Sequence, residues 1–263
     1  MENQSVLLEI DTTRTARITL NKPEIHNAFD DSLIAELIQV FKRLDHDASV
    51  GTVVLAANGK SFSAGADLNW MKRMAGYTQQ ENIGDAMQLS ELMHTFNTLS
   101  KPTVVLVQGS ALGGGVGLVA CADIAIAAEK ARFSLSETRL GLIPSVISPY
   151  VIDAIGARAA RRYFLTAERF DAHEALRIGL IHEVVSTDAL PAALENVLAV
   201  LRQCGPNAKA AAKEMIALVQ RSPRDDALRR TTAERIAEIR ASDEGREGVS
   251  AFLEKRSPAW YQE

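Results

Sequence analysis

Three consecutive glycines, Gly113 to Gly115, lie in the stretch Gln108 to Gly117. They stand between an apolar strand-like run, Thr103 to Val107, and an apolar helix-like run, Val116 to Cys121. Glycine costs backbone entropy, so a triplet beside core elements implies an unusual backbone shape or a close-approaching ligand. A glycine turn feeding a helix start leaves N–H groups without intrahelical acceptors at the positive end of the dipole. That place can hold a phosphate or the developing charge of a reacting carbonyl. A second turn bears on the choice. Ser61 to Leu68 also follows a strand, enters a helix, and is built of small residues at Ser63, Ala64, Gly65 and Ala66. If the two preceding strands are neighbours, one N–H from each turn converges on one oxygen, which is the geometry of an oxyanion hole. The competing reading is two tight turns needed only for packing.

The elements that must position these turns alternate. Val6 to Ile10 and Ala16 to Leu20 read as strands joined by the polar turn Asp11 to Thr15. Leu33, Ile34, Leu37, Ile38, Phe41 and Leu44 recur at helical spacing behind Asp30, a candidate N-cap. Thr52 to Ala56 is a buried strand, Ala66 to Met74 begins a helical stretch, and Glu81 to Leu99 is a longer helix. Asp123 to Ala128 is another strand. This order places residues 1–190 among α/β folds. Residues 191–263 read as helix only, punctuated by Pro206, Pro223 and Pro258, and form a separate helical region.

Bulk properties narrow the function. With 263 residues and 47% hydrophobic content the chain can bury a sizeable core. A net charge of −4 argues against a protein that coats nucleic acid; Arg158, Arg161, Arg162, Arg229 and Arg230 read as solvated helix faces. The segment Thr103 to Ala128 is long and apolar, but Gln108, the glycines and Asp123 suit a buried strand–helix–strand better than a membrane span. Cys121 and Cys204 make no metal-ligand spacing and no disulfide framework, which fits a cytoplasmic protein, and no signal peptide is visible at the N-terminus.

Four segments in order resemble the enoyl-CoA hydratase/isomerase (crotonase) family: Asn21 to Phe29, Phe62 to Leu68, Ala111 to Gly115, and Ser136 to Pro144. The resemblance runs to the ending Phe252 to Pro258. It implies a Clp-like spiral of ββα units, with a C-terminal all-helical region that joins subunits into a homotrimer or a hexamer. It implies an acyl-CoA substrate, with coenzyme A as part of the substrate and no metal or redox cofactor. The oxyanion donors would be the N–H groups of Ala66 and Gly114, in turns that include Gly65 and Gly113. The backbone beside Ala64, Ala66, Asp67 and Leu68 would meet the adenine end of coenzyme A, with Lys22, Ile25 and Asn27 near the same nucleotide. Glu137 would carry the proton; without the resemblance it reads first as a helix cap or a partner of Arg139.

The chain also departs from the family. Hydratases with two acids carry a second glutamate shortly after the glycine triplet, and this chain has Gly117 there. His94 is the candidate substitute, against its reading as a surface or packing residue. Asp67 to Met74 and Gly141 to Tyr150 resemble the methylglutaconyl-CoA hydratases of leucine breakdown and the isohexenylglutaconyl-CoA hydratase of acyclic terpene breakdown, where a glycine at this position is expected. Those substrates carry a second carboxylate, which Lys72, Arg73, Ser145 or Ser148 would meet. The alternatives are an enoyl-CoA isomerase using Glu137 alone, an RNA-binding relative, and a Clp-like serine protease, for which no Ser–His–Asp set is visible.

Overall fold

Strands β1 (Val6–Ile10) and β2 (Thr15–Leu20) form an antiparallel hairpin, Val6 opposite Leu20. The Asp11 carboxylate fixes its turn by accepting from the N–H groups of Thr13 and Thr15. In the computed structural model, which describes residues 4–261, helix α1 (Asp31–His46) follows. Asp30 caps it, accepting from Leu33 N at 2.8 Å. Its apolar stripe, Leu33 to Leu44, is buried as the spacing requires, and Phe41 stacks on Phe96. Each such side chain stabilises the fold by about 1.5–3 kcal/mol.

Three strand–strand–helix passages come next. The first is β3 (Thr52–Ala57), β4 (Ser61–Ser63), α2 (Leu68–Met74) and α3 (Gln79–Asn97). The second is β5 (Thr103–Val107), β6 (Ser110–Leu112) and α4 (Gly114–Cys121). The third is β7 (Ile124–Ala128), β8 (Arg132–Ser134), a 3₁₀ turn over Ser136–Leu140, and α5 (Ser148–Thr166). Each passage gives one strand to each of two sheets. Strands β9 (Phe170–Asp171) and β10 (Glu183–Val185), separated by α6 (Ala172–Arg177), complete them. The larger sheet runs β1-β2-β3-β5-β7-β10, and the smaller runs β4-β6-β8-β9.

The smaller sheet is a departure from the sequence reading, which took Ser61–Ser63 and Ser110–Leu112 as parts of turns. Strands of two or three residues are too short to show a two-residue period, so only their neighbours specify them. Helix α2 also begins two residues later than the sequence suggests. Asp67 takes the N-cap position and accepts from Asn69 N and Trp70 N.

The chain divides into two compact units, Met1–Leu99 with Thr103–Leu194, and Ser100–Pro102 with Glu195–Glu263. The division falls within α7 (Leu190–Gln203). The second unit contains α8 (Pro206–Arg221), α9 (Asp226–Ala241) and α10 (Asp243–Glu254). Among the described residues, no helix is long and apolar enough to cross a membrane.

Candidate active site

Parallel pairing sets the two small-residue turns side by side. β3 pairs with β5, and β4 pairs with β6, with Ser63 opposite Ala111. Beyond this pair the two turns approach tightly at two glycines. A Cβ on Gly65 would lie 3.2 Å from the Leu112 carbonyl oxygen, and one on Gly115 would lie 3.0 Å from Ser63 Cβ. Gly65 has φ +85°, a conformation that glycine adopts without strain.

The main-chain donors of the first turn are shared out. Ala64 N donates to His26 O at 2.9 Å, and Asp67 N donates to Phe29 O at 2.8 Å. Gly65 N reaches Ser63 Oγ at 3.3 Å. Ala66 N–H, between them, has no acceptor among the described residues. In the second turn Gly113 N donates to Ser134 O at 2.9 Å, while Gly114 N–H, the first of α4, has no acceptor among the described residues. Phe29 links the two: its backbone bridges Ala66, and its ring lies 3.1 Å from where a Gly114 Cβ would stand.

Glu137 comes to the same place. The 3₁₀ turn after β8 carries it, closed by Gly141 at φ +73° and anchored by Thr138 Oγ1 donating to Phe164 O. Its Oε1 lies 3.1 Å from the position a Gly113 Cβ would take. Its Oε2 is buried and has no hydrogen-bond partner among the described residues. Burial pushes its carboxyl above the ordinary carboxylate range, while its own backbone N–H pulls the other way. No charged neighbour, Arg139 included, contributes. A buried carboxylate oxygen left unpaired costs free energy, and such groups are retained where chemistry uses them.

Other residues named from the sequence sit as follows. Asn27 is fully buried, and its amide is taken up by the main chain: it accepts from Lys22 N and donates to Asn58 O and Ser61 O. Lys22 pairs with Asp30 at 3.3 Å. Ile25 and Leu68 are exposed. The Asp67 carboxylate is occupied by its helix cap. His94 is exposed, and its neighbour Met93, which is buried, is the α3 side chain that faces Gly117. Arg73 is held by Asp31 in an exposed ion pair, and Lys72 is exposed. Ser148 Oγ donates to Ser145 O. Arg162 is neutralised by Glu168, within the surface cluster read as solvated. Among the described residues no group of three His, Cys, Asp or Glu side chains is placed to hold a metal ion.

Sequence reasoning missed Phe29, which touches both turns, and Met93 and Ile147, which fill the space opposite Gly117. The signal was in the glycines themselves, since a position without a side chain beside core elements implies a bulky neighbour.

The sequence matches the family described as enoyl-CoA hydratase/isomerase over residues 12–263. The chain belongs to that family. It is similar to a solved enoyl-CoA hydratase from Shewanella pealeana, with 46% identity and a TM-score of 0.95 over 98% of this chain and 97% of that one. It is similar to Pseudomonas aeruginosa AtuE, with 39% identity and a TM-score of 0.94 over 98% and 100%. It is 32% identical to the 2,3-dehydroadipyl-CoA hydratase of Escherichia coli, over 93% of this chain and 94% of that one. The fold is therefore the crotonase fold, with strand–strand–helix passages and a helical C-terminal region.

Proposed function

We propose that this chain is an enoyl-CoA hydratase, a carbon–oxygen lyase, and that its substrate is 3-methylglutaconyl-CoA. The observation that carries the reading is Glu137: a desolvated carboxylate with an unpartnered oxygen, beside the glycine turn that presents a free N–H at Gly114. The free N–H of Ala66 comes from the neighbouring turn. These two donors polarise the thioester carbonyl and hold the enolate oxygen. Glu137 takes a proton from water as its oxygen adds at the β carbon, and the same carboxyl returns a proton to the α carbon. The product is 3-hydroxy-3-methylglutaryl-CoA. Backbone donors supply the polarisation, so the reaction needs no metal or redox cofactor, and coenzyme A arrives as part of the substrate.

The relatives named above as hydratases support the reaction type. The substrate choice rests on the resemblance of Asp67 to Met74 and Gly141 to Tyr150. The 2,3-dehydroadipyl thioester named for the E. coli relative is a different substrate, but a dehydroadipyl chain too ends in a second carboxylate. Isohexenylglutaconyl-CoA is the first alternative. A Δ3-Δ2-enoyl-CoA isomerase is the second reading, favoured by the single carboxylate. The C-terminal helices serve trimer or hexamer assembly; Val249, Phe252 and Leu253 on α10 are exposed and apolar, which supports it.

Turnover on methylglutaconyl-, isohexenylglutaconyl-, crotonyl- and 3-enoyl-CoA in oxygen-18 water tests the proposal. The expected result is highest kcat/KM on methylglutaconyl-CoA, with label in the product hydroxyl. Conversion of 3-enoyl-CoA without label, and no hydration, would establish the isomerase instead.

A further inference from the structure

Phe29 stands between the two turns and holds each by a different part of itself. Its backbone runs parallel to the first turn: Phe29 N donates to Gly65 O at 2.7 Å, and Phe29 O accepts from Asp67 N at 2.8 Å. In a parallel bridge of this kind the central residue of the opposing chain keeps its own N–H and C=O on the other side. That central residue is Ala66, so the bridge turns its N–H away from Phe29 and leaves it free. His26 O accepts from Ala64 N at 2.9 Å, so the segment 26–29 grips the turn at both ends. The ring of Phe29 meets the second turn. A Cβ on Gly114 would lie 3.1 Å from both Cδ2 and Cε2, so Gly114 faces the ring edge with room for a methyl only if the ring gives way. Phe29 is buried and immediately precedes Asp30, the N-cap of α1. Its mount is a 16-residue helix with a buried apolar stripe, not a free loop.

We propose that Phe29 is a positioning residue that sets the spacing between the Ala66 and Gly114 N–H groups. The proposal rests on the reading of those two groups as donors to the thioester oxygen. A pair of donors stabilises one oxygen only while both lie at hydrogen-bond distance from it, so their separation matters as much as their presence. The backbone bridge ties one donor to Phe29, and the ring edge ties the other to the same residue. Phe29 acts through the two turns.

Phe29→Leu and Phe29→Met test this. Both keep the backbone bridge and most of the buried volume, and both lose the flat ring edge. Below the thermal transition of each variant, kcat should fall by about tenfold or more, because small misplacements near a reacting group have effects of that size. KM should stay within about threefold, because the donors act mainly on charge that develops in the transition state. A spectroscopic readout separates spacing from general loosening. The infrared carbonyl stretch of bound butyryl-CoA, labelled with carbon-13 at that carbon, falls below its free value when donors hold the oxygen. In both variants it should return part of the way. An unchanged kcat, or a lower kcat with an unchanged stretch, would overturn the proposal. Gly114→Ala supplies a second arm. Alone, its methyl presses on the ring and should lower kcat. Leucine at position 29 lacks Cε2, so the double variant should retain more kcat than the product of the two single losses predicts. Losses that simply multiply would overturn the ring contact. No red shift for the thioester bound to the wild-type chain would instead defeat the reading of Ala66 and Gly114 as donors, so the two failures are distinguishable.

Discussion

The carboxylate of Glu137 rests against Gly113, so close that a methyl group on that glycine would stand 3.1 Å from Oε1 and 3.6 Å from Cδ. Gly113 also holds φ +50°, ψ −117°, outside the regions open to L-residues. Gly113→Ala is therefore expected to strain the turn and displace the carboxylate together. The kcat should fall about a hundredfold, since a shift of about 1 Å near the reacting atoms has that effect. Steady-state kinetics on the preferred thioester measures this. Wild-type kcat would show that Glu137 tolerates displacement and is not positioned by this contact.

Gly114 allows an N–H to be removed with a matched control. It is the first helical residue of α4, where proline is best tolerated because the N–H lacks an intrahelical acceptor. Gly114→Ala adds a Cβ against the Phe29 ring and keeps the N–H. Gly114→Pro adds the same Cβ and removes the N–H, and its ring also disturbs the turn, because a following proline disfavours the φ +50°, ψ −117° of Gly113. The proline variant should be slower than the alanine variant by about a hundred- to a thousandfold in kcat, the loss typical of one oxyanion donor. Equal rates in the two variants would exclude Gly114 N–H as a donor.

These predictions draw on a site only partly legible in the sequence. The two turns and their strand–turn–helix setting follow from Gly113 to Gly115 and Ser63 to Ala66, because glycine runs beside apolar strands are rare without a structural cause. The α1 stripe and the Asp30 cap were legible for the same local reason. The pairing of β4 with β6, which makes neighbours of the turns, was not. A three-residue strand carries no period, and its register is set by partners distant in sequence. Glu137 was identified from family resemblance, since a lone glutamate among Ser136, Thr138 and Arg139 has no local signature. Its desolvation depends on the tertiary packing around the 3₁₀ turn. The packing of Ile147 over Gly117 was hidden, because the sequence records only the missing side chain and not the one that fills its place.

Glu137→Gln separates chemistry from stability. Turnover should be lost while acyl-CoA binding stays near wild type, read by kinetics and by calorimetric titration with product. Stability should move the other way. Burial raises the folded-state pKa of Glu137 above its unfolded value, so between the two the folded chain keeps a proton that the unfolded chain has released. Stability therefore falls as pH rises through that window, and the full penalty persists above it. Glutamine carries no such penalty. The Tm of Glu137→Gln should match wild type below the ordinary carboxylate range and exceed it at neutral pH. The gain in stability is about 1.4 kcal/mol for each tenfold difference in proton affinity between the folded and unfolded carboxyl. A Tm difference independent of pH would show that the carboxyl is not desolvated.

Asn27 provides a test of structural against binding roles. Resemblance places it near the nucleotide, yet its side chain is buried and bonded to three main-chain groups: Lys22 N at 2.8 Å, Asn58 O at 2.9 Å and Ser61 O at 3.0 Å. It also holds φ +53°, a region that asparagine tolerates better than most residues. These bonds join the loop before α1 to the strand that leads into the Ala66 turn. Asn27→Ala leaves Lys22 N and Asn58 O without this partner and Ser61 O with Gln108 Nε2 alone, and should cost about 2–4 kcal/mol. For a chain of this size that lowers Tm by roughly 5–15 °C, read by thermal denaturation. Below the transition the KM for acyl-CoA should change little. A raised KM with an unchanged Tm would reverse the assignment and make Asn27 a direct substrate contact.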